Sequence, residues 1–88
     1  MPSISMFYGI IIYMYYKDTN QHKLPHLHAF YGEHEALFDL NGKFLEGKFP
    51  SKQKKFVETW ILLRQSDLLA NWKLVVEGEV PYKVEPLK

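Results

Sequence analysis

The chain has 88 residues, a formal net charge of +1 at pH 7 and no cysteine. This length predicts one domain, residues 1–88, with a single modest core. The lack of cysteine excludes a disulfide framework, a thiolate zinc site and a cysteine nucleophile. The charge is far from the strongly basic profile of a dedicated nucleic-acid binder.

The apolar N-terminal stretch has neither the basic segment nor the small-residue cleavage site of a signal peptide. No apolar run approaches the roughly 20 residues that span a bilayer. A core without disulfides also fits a reducing compartment. We therefore expect a cytoplasmic protein that makes no contact with a membrane.

Two strands are predicted near the N-terminus, at residues 3–7 and 10–16, because Ile, Tyr, Phe and Met dominate both and Gly9 interrupts them. The longer strand alternates two apolar sets, which are Ile10, Ile12 and Met14 on one face and Ile11, Tyr13 and Tyr15 on the other. Since both faces are apolar, we expect this strand to be covered on both sides.

Turn signals predict that further strands follow as hairpins. Pro25 favours an extended chain leading into the next strand. Gly32-Glu33 suits a two-residue type II′ turn, and Asn41-Gly42 predicts a second hairpin. The predicted strands are residues 26–31, 34–40 and 43–47.

The apolar period then changes to that of two helices, residues 51–65 and 67–77. Ser51 is the expected N-cap of the first, and Gly78 ends the second. Trp60 and Trp72 lie on the apolar stripes and should face the sheet. An extended tail follows, in which Val84 and Leu87 are available to dock.

Strands first and helices second predict an α+β domain. Its antiparallel sheet has about four to five strands within residues 3–47. The two helices pack on one face of that sheet.

The chain resembles a family of small bacterial proteins that is described only as a domain of unknown function. The resemblance spans nearly the whole chain. Five segments carry it: the opening Pro2-Ser3-Ile4-Ser5-Met6-Phe7-Tyr8-Gly9-Ile10, Pro25-His26-Leu27-His28, the hairpin Tyr31-Gly32-Glu33-His34-Glu35-Ala36, the helical Glu58-Thr59-Trp60, and the ending Glu85-Pro86-Leu87.

Genes of this family often lie beside the gene of another small domain of unknown function, an arrangement similar to a toxin–antitoxin pair. The resemblance therefore implies a bacterial cytoplasmic protein with a small protein partner. It supplies no established catalytic residue and no cofactor. Relatives usually have Asn-Pro-Pro or a similar sequence before the His-x-His pair, where this chain has His22-Lys23-Leu24. A role shared with the family therefore falls to His26 and His28 rather than to His22.

His26 and His28 are two residues apart, so on a strand they point to the same side. This spacing suits two acid–base groups, or two metal ligands completed by His22, His34 or Asp39. The alternative is that the imidazoles bond to loop carbonyls or fill a half-exposed sheet face. We predict no metal and no cofactor, because the chain has no HExxH-like spacing and no glycine-rich phosphate loop.

Hairpin arithmetic around the two-residue turn pairs His26 with Asp39 and His28 with Leu37. The histidine face is the less apolar one, so we expect it to be accessible, with the Asp39 carboxylate orienting the His26 ring. His26, His28 and Asp39 are therefore the candidate catalytic residues. The opposite set should meet the helices: Leu27, Ala29, Tyr31, Ala36, Phe38 and Leu40.

Five lysines cluster between the last strand and the first helix: Lys43, Lys48, Lys52, Lys54 and Lys55. A phosphate backbone could lie along such a patch, which makes Lys48, Lys52 and Lys55 candidate nucleic-acid contacts. The alternative is a solvated face.

Two functions remain open. The first is a small interaction module, one half of a toxin–antitoxin-like pair, which binds a protein partner through its sheet and tyrosines and can also form homo-oligomers. The second is a small RNA-binding or RNA-cleaving protein that uses the His26 and His28 face together with the lysines. The two differ in where the lysines lie, since lysines around the histidine face favour RNA.

Overall fold

The computed structural model describes residues 3–16 and 24–88. Five strands form one antiparallel sheet in chain order, and two helices follow. The elements are β1 (Ser5–Phe7), β2 (Ile10–Tyr13), β3 (His26–Tyr31), β4 (His34–Asp39), β5 (Phe44–Lys48), α1 (Ser51–Leu63) and α2 (Gln65–Val76). The α+β fold predicted from the sequence is confirmed, and β2 is shorter than expected.

The interruption at Gly9 is a tight hairpin between β1 and β2. Tyr8 and Gly9 both have positive φ, 50° and 80°, which is the signature of a type I′ turn. The turn pairs Phe7 with Ile10. Tyr8 is the one described residue other than glycine with a positive φ. β2 therefore follows β1 through a two-residue turn and pairs with it directly.

The register of β3 against β4 is the one that the sequence predicts. Tyr31 pairs with His34, and the pairing continues outward to His26 opposite Asp39. Gly32 has a positive φ of 59° and Glu33 does not, as a type II′ turn requires. Each side chain of the hairpin is therefore on the face of the sheet that the sequence predicts.

The hairpin from β4 to β5 contains a bulge that sequence reasoning missed. Its turn is closed by the Gly42 N–H, which donates to the Asp39 carbonyl over 3.1 Å. The register then shifts between Leu37 and Phe38. Gly47 has a φ of +106°, and a Cβ atom there would lie 2.8 Å from the Ala36 Cα, so only glycine permits this approach of the strands.

The start of α1 differs from expectation, and the end of α2 agrees with it. The N-cap of α1 is Pro50, which provides no side-chain hydrogen bond, and Ser51 is already helical. At the other end, the N–H groups of Gly78 and Glu79 donate to the carbonyls of Val75 and Leu74. This is a Schellman motif with Gly78 at a positive φ of 82°.

Both helices pack on one face of the sheet. Trp60 is fully buried there, and Trp72 is almost so, which confirms that both indoles face inward. The core joins helix residues to alternate strand residues: Phe7, Ile10, Ile12, Leu27, Ala29, Ala36, Phe38, Val57, Trp60, Ile61 and Leu68.

The C-terminal tail is fixed by polar side chains of the helices. The buried Asn71 amide exchanges two hydrogen bonds with the backbone of Tyr82, at 2.8 and 2.9 Å. The Trp60 Nε1 donates to the Glu85 carbonyl at 2.7 Å. Val84 is buried and Leu87 packs against the core, so the predicted docking of the tail is confirmed.

Candidate functional site: the open face of the sheet

The face of the sheet opposite the helices is covered by none of the described elements. We call it the open face. Strand alternation and register assign to it Met6, Ile11, Tyr13, His28, Phe30, Glu35, Leu37, Glu46 and Lys48. Tyr15, which follows β2, joins them by stacking on His28. His26 and Asp39 have the same parity at the end of the β3–β4 pair, where Trp72 of α2 lies against the His26 ring. Among the described residues, only one face of the second strand is covered, which differs from the expectation of cover on both sides. Both helices follow the sheet in sequence and occupy its other face.

Aromatic side chains line a groove on the open face. Ile11, Tyr13, Tyr15 and Phe30 border a volume of about 410 Å³. The Tyr13 and Phe30 rings meet edge to face with centroids 5.4 Å apart, an arrangement that aromatic rings favour. Met6 lies beside them on β1 and is 60% exposed. The groove is thus apolar, rigid and open to solvent.

His28 lies at one end of this groove, beneath Tyr15. The two rings stack with centroids 4.2 Å apart and an interplanar angle of 12°, which leaves His28 only 4% exposed. Its Nδ1 lies 3.6 Å from Glu35 Oε2. The expectation of an accessible His28 is therefore wrong, because the Tyr15 ring occupies the space above the imidazole.

His26 is fully buried, at 0% exposure. Its ring lies between that of His28, at 5.3 Å, and that of Trp72 on α2, at 5.2 Å. Its Nδ1 bonds to the Leu24 carbonyl at 2.9 Å. Since a carbonyl only accepts, Nδ1 is the donor in this hydrogen bond. The expectation of accessibility is wrong here too, because the ring is buried and the Trp72 side chain of α2 lies against it.

Asp39 stands opposite His26, as predicted, but its carboxylate has a turn-forming role. Oδ1 accepts hydrogen bonds from the backbone N–H groups of Asn41 and Lys43, at 2.8 and 2.9 Å. This is the ordinary use of an aspartate at the start of a tight turn. The catalytic assignment of His26, His28 and Asp39 remains a prediction, and in this conformation the two imidazoles are closed to a substrate.

The three candidate nucleic-acid residues are all exposed, but they do not share one face. Lys48 stands opposite Glu35 on the open face. Lys52 and Lys55 are on α1, in the layer that covers the other face. A fourth lysine, Lys54, lies over the Phe44 ring at 4.5 Å from its centroid. The lysines therefore do not surround the buried histidines.

Within residues 3–16 and 24–88, no group of three His, Asp or Glu side chains is arranged to hold a metal ion. His34 is exposed at the far end of the β3–β4 hairpin. His22, the other proposed third ligand, lies outside the described residues. Of the helices in the described part of the chain, none has the length and apolar character to cross a bilayer.

Hairpin arithmetic from the sequence places Glu35 on the histidine face, but Glu46 was not singled out as a member of this site. The signal was available for Glu35, since the predicted hairpin register already set it opposite Phe30. The signal was also available for Glu46, since a two-residue turn at Asn41-Gly42 sets it opposite Leu37, and only the pairing of Phe38 departs from that register.

Comparison with known proteins identifies a family. No curated protein matches the chain, and no solved structure matches it. The family described as a domain of unknown function, DUF4160, matches residues 9–73. This match runs from the turn before β2 into α2, so it includes the aromatic groove and both buried histidines. The chain therefore belongs to the DUF4160 family.

Proposed function

We propose that this chain is an interaction module that binds a protein partner through the open face of its sheet. The observation that carries the proposal is the groove lined by Ile11, Tyr13, Tyr15 and Phe30, which none of the described elements covers. Tyrosine, phenylalanine and methionine are enriched in protein interfaces, because they bury much apolar area with few rotatable bonds.

The rigidity of the groove also supports binding. Tyr13 is packed edge to face on Phe30, and Tyr15 is stacked on His28. Side chains that are already ordered lose little conformational entropy when a partner arrives. The buried His28 provides the surface on which the Tyr15 ring stacks.

The finer proposal is that the partner is a small cytoplasmic protein encoded beside this chain, in a toxin–antitoxin-like pair. The resemblance to small bacterial proteins with paired genes supports it. The positions of the lysines argue against RNA as the partner. Lys52 and Lys55 belong to the helix layer, and Lys48, on the open face, stands opposite the carboxylate-bearing Glu35.

The test is co-expression with the product of the adjacent gene, followed by purification of the pair. We expect the two proteins to co-purify, and Phe30→Glu to abolish this because a charge would be buried in the contact. The matched control is Leu63→Glu, at a side chain on α1 that is 61% exposed. Retained tryptophan fluorescence of both variants shows that the core is intact. Equal loss in the two variants, or no complex with the parent chain, would contradict the proposal.

A second experiment separates binding from catalysis. The chain is expressed alone in a bacterium, beside His26→Ala and His28→Ala. We expect no growth arrest from the parent chain. Growth arrest that both variants relieve, while the Phe30→Glu variant retains it, would support the RNA-cleaving alternative instead.

A further inference from the structure

Another pocket lies at the end of the domain where β3 begins, β4 ends and α2 begins. Its volume is about 330 Å³, which is within the range of sites for small ligands. We propose that this pocket, which we call the end pocket, binds an alkylammonium group. The inference goes beyond the proposed function, because no described residue lines both the aromatic groove and the end pocket.

Aliphatic side chains supply the apolar part of the lining. They are Leu24, Pro25, Leu40 and Leu69. Leu40 is buried, whereas Leu24 and Leu69 are 44% and 50% exposed. An alkyl chain that lies in the pocket would cover these two leucines, and the burial of their apolar area would favour binding.

The Asp39 carboxylate is the charged group among the described residues that line the end pocket, and the amides of Asn41 and Gln65 lie beside it. Oδ1 of Asp39 accepts the two backbone N–H groups of the turn. Within residues 3–16 and 24–88, Oδ2 makes no hydrogen bond, and no lysine or arginine forms an ion pair with the carboxylate. Asp39 therefore keeps one oxygen that can accept from a ligand.

Gln65 adds a second acceptor. Its Nε2 donates to the Leu40 carbonyl at 3.0 Å and to Asn41 Oδ1 at 3.5 Å. Since a carbonyl only accepts, the Leu40 contact fixes which end of the amide is the nitrogen. Within the described part of the chain, Oε1 accepts no hydrogen bond. The end pocket thus combines aliphatic side chains with two acceptors that have room for a donor, one of them charged.

These groups select the charge of the ligand. Asp39 is half-buried, and a ligand that covers it removes more water from the carboxylate, which then needs a donor or a positive charge. An alkylammonium provides both, because its three N–H groups are donors and its chain can contact the leucines. A neutral alkyl group would leave the charge uncompensated, and an alkyl carboxylate would be repelled.

The experiment titrates the purified full chain with three ligands of equal chain length at constant ionic strength. They are n-butylammonium, 1-butanol and butyrate. Binding is followed by nuclear magnetic resonance shifts of the backbone N–H groups of Asn41 and Lys43 and of the Gln65 side-chain amide. We expect n-butylammonium to bind about five-fold more tightly than 1-butanol, which is the strength of a partly exposed ion pair. Butyrate should bind most weakly.

Three variants separate charge from chain contact. Asp39→Asn should remove the preference for n-butylammonium over 1-butanol, because it deletes the charge and keeps Oδ1 as the acceptor of the turn. Glu33→Gln, the matched control at the opposite end of the β3–β4 hairpin, should keep the preference. Leu69→Ala should weaken both ligands by a similar factor, since Leu69 contacts only the alkyl chain.

The same group occurs on free amines and on lysine side chains of other proteins, and N-acetyl-lysine methylamide distinguishes these two sources. Binding within about two-fold of n-butylammonium would assign the end pocket to a lysine side chain, and failure to bind would assign it to a free amine. Equal binding of n-butylammonium and 1-butanol, tighter binding of butyrate, or no shift with any ligand would overturn the inference. These three measurements use the parent chain, so they decide it even if Asp39→Asn fails to fold.

Discussion

The two faces of the sheet are made of nearly the same residue types but have different roles. Ile12 is fully buried under the helices, while its neighbour Ile11 lines the open groove. On the covered face, shape complementarity with α1 and α2 excludes water. On the open face, the Tyr13 and Phe30 rings pack on each other and Tyr15 stacks on His28. Hydrophobicity along a strand therefore reveals which residues avoid water, but not whether the same chain supplies the cover.

The largest expected effect concerns the covered face. Trp60→Ala should lower the free energy of unfolding by about 3–5 kcal/mol, because it opens a cavity in the centre of the core. It also removes the indole N–H that holds the Glu85 carbonyl. Chemical denaturation measures the loss, and the exposed Leu63→Ala on the same helix should change stability by less than about 0.5 kcal/mol.

If Trp60→Ala fails to fold, Trp60→Phe provides the measurement. It keeps most of the ring and removes the hydrogen-bond donor, so a loss of about 1–2 kcal/mol is expected. An unchanged melting temperature in either variant would contradict the packing of α1 on the sheet.

The second prediction compares the two faces of the sheet through neighbouring residues of β2. Ile12→Ala should cost about 2–5 kcal/mol in the free energy of unfolding, and Ile11→Ala about 1 kcal/mol, because only Ile12 is enclosed. Partner binding should respond in the opposite order: Ile11→Ala should weaken it more than Ile12→Ala, because Ile11 lines the groove. Denaturation and co-purification of both variants measure this, and equal stability losses would show that the open face is not open.

A smaller effect is expected at the start of α1. The first turn has no acidic residue, and its N-cap makes no side-chain hydrogen bond, so Lys52 opposes the helix dipole. Lys52→Glu should raise the free energy of unfolding by about 0.3–1 kcal/mol. Partner binding through the open face should not change. Loss of stability in this variant would contradict the dipole argument. Loss of the complex would show that the helix layer contributes to recognition.

The smallest effect concerns the tail that crosses the covered side. The Lys88 ammonium bonds to Glu85 at 2.9 Å, and this hydrogen bond, followed by its charge, holds the pKa of the Glu85 carboxyl below the usual range. A lowered pKa contributes stability above the ordinary value of 4.5, and that contribution is lost as the pH falls through the folded-state pKa.

We therefore expect Lys88→Ala to lower the melting temperature slightly at pH 7, with the difference from the parent chain vanishing in acid. Because the pair is exposed, the effect is small. Thermal scans at pH 7 and at a pH below the folded-state pKa of Glu85 check this expectation. A difference that persists in acid would mean that Lys88 acts through packing instead of charge.

Local patterns were sufficient to predict most of the fold. The alternation in residues 10–16 identified the two faces, and the turn at Gly32-Glu33 gave the register of β3 and β4 without error. The helix end at Gly78 was also predicted. These features depend on backbone geometry within a few residues, which the side chains of the turn or the helix end determine by themselves.

The candidate site could be predicted only in part. Strand parity correctly paired His26 with Asp39, yet it gave no sign that Tyr15 covers His28 or that the Asp39 carboxylate bonds to its own turn. Both depend on where a side chain points after the strand has ended. The split of the lysines between two layers likewise follows from the position of α1.

The sequence by itself determined the strands, their register and the apolar stripes of the helices, because these arise from interactions between near neighbours. Strand alternation also correctly predicted that Leu27, Ala29 and Phe38 meet the helices. Only the tertiary structure decided that Trp72 of α2 also lies against His26, which is buried. It also decided that Asn71 holds the backbone of Tyr82, 11 residues away. Such contacts join segments that are distant in the chain, and their geometry depends on how all of the elements pack at once.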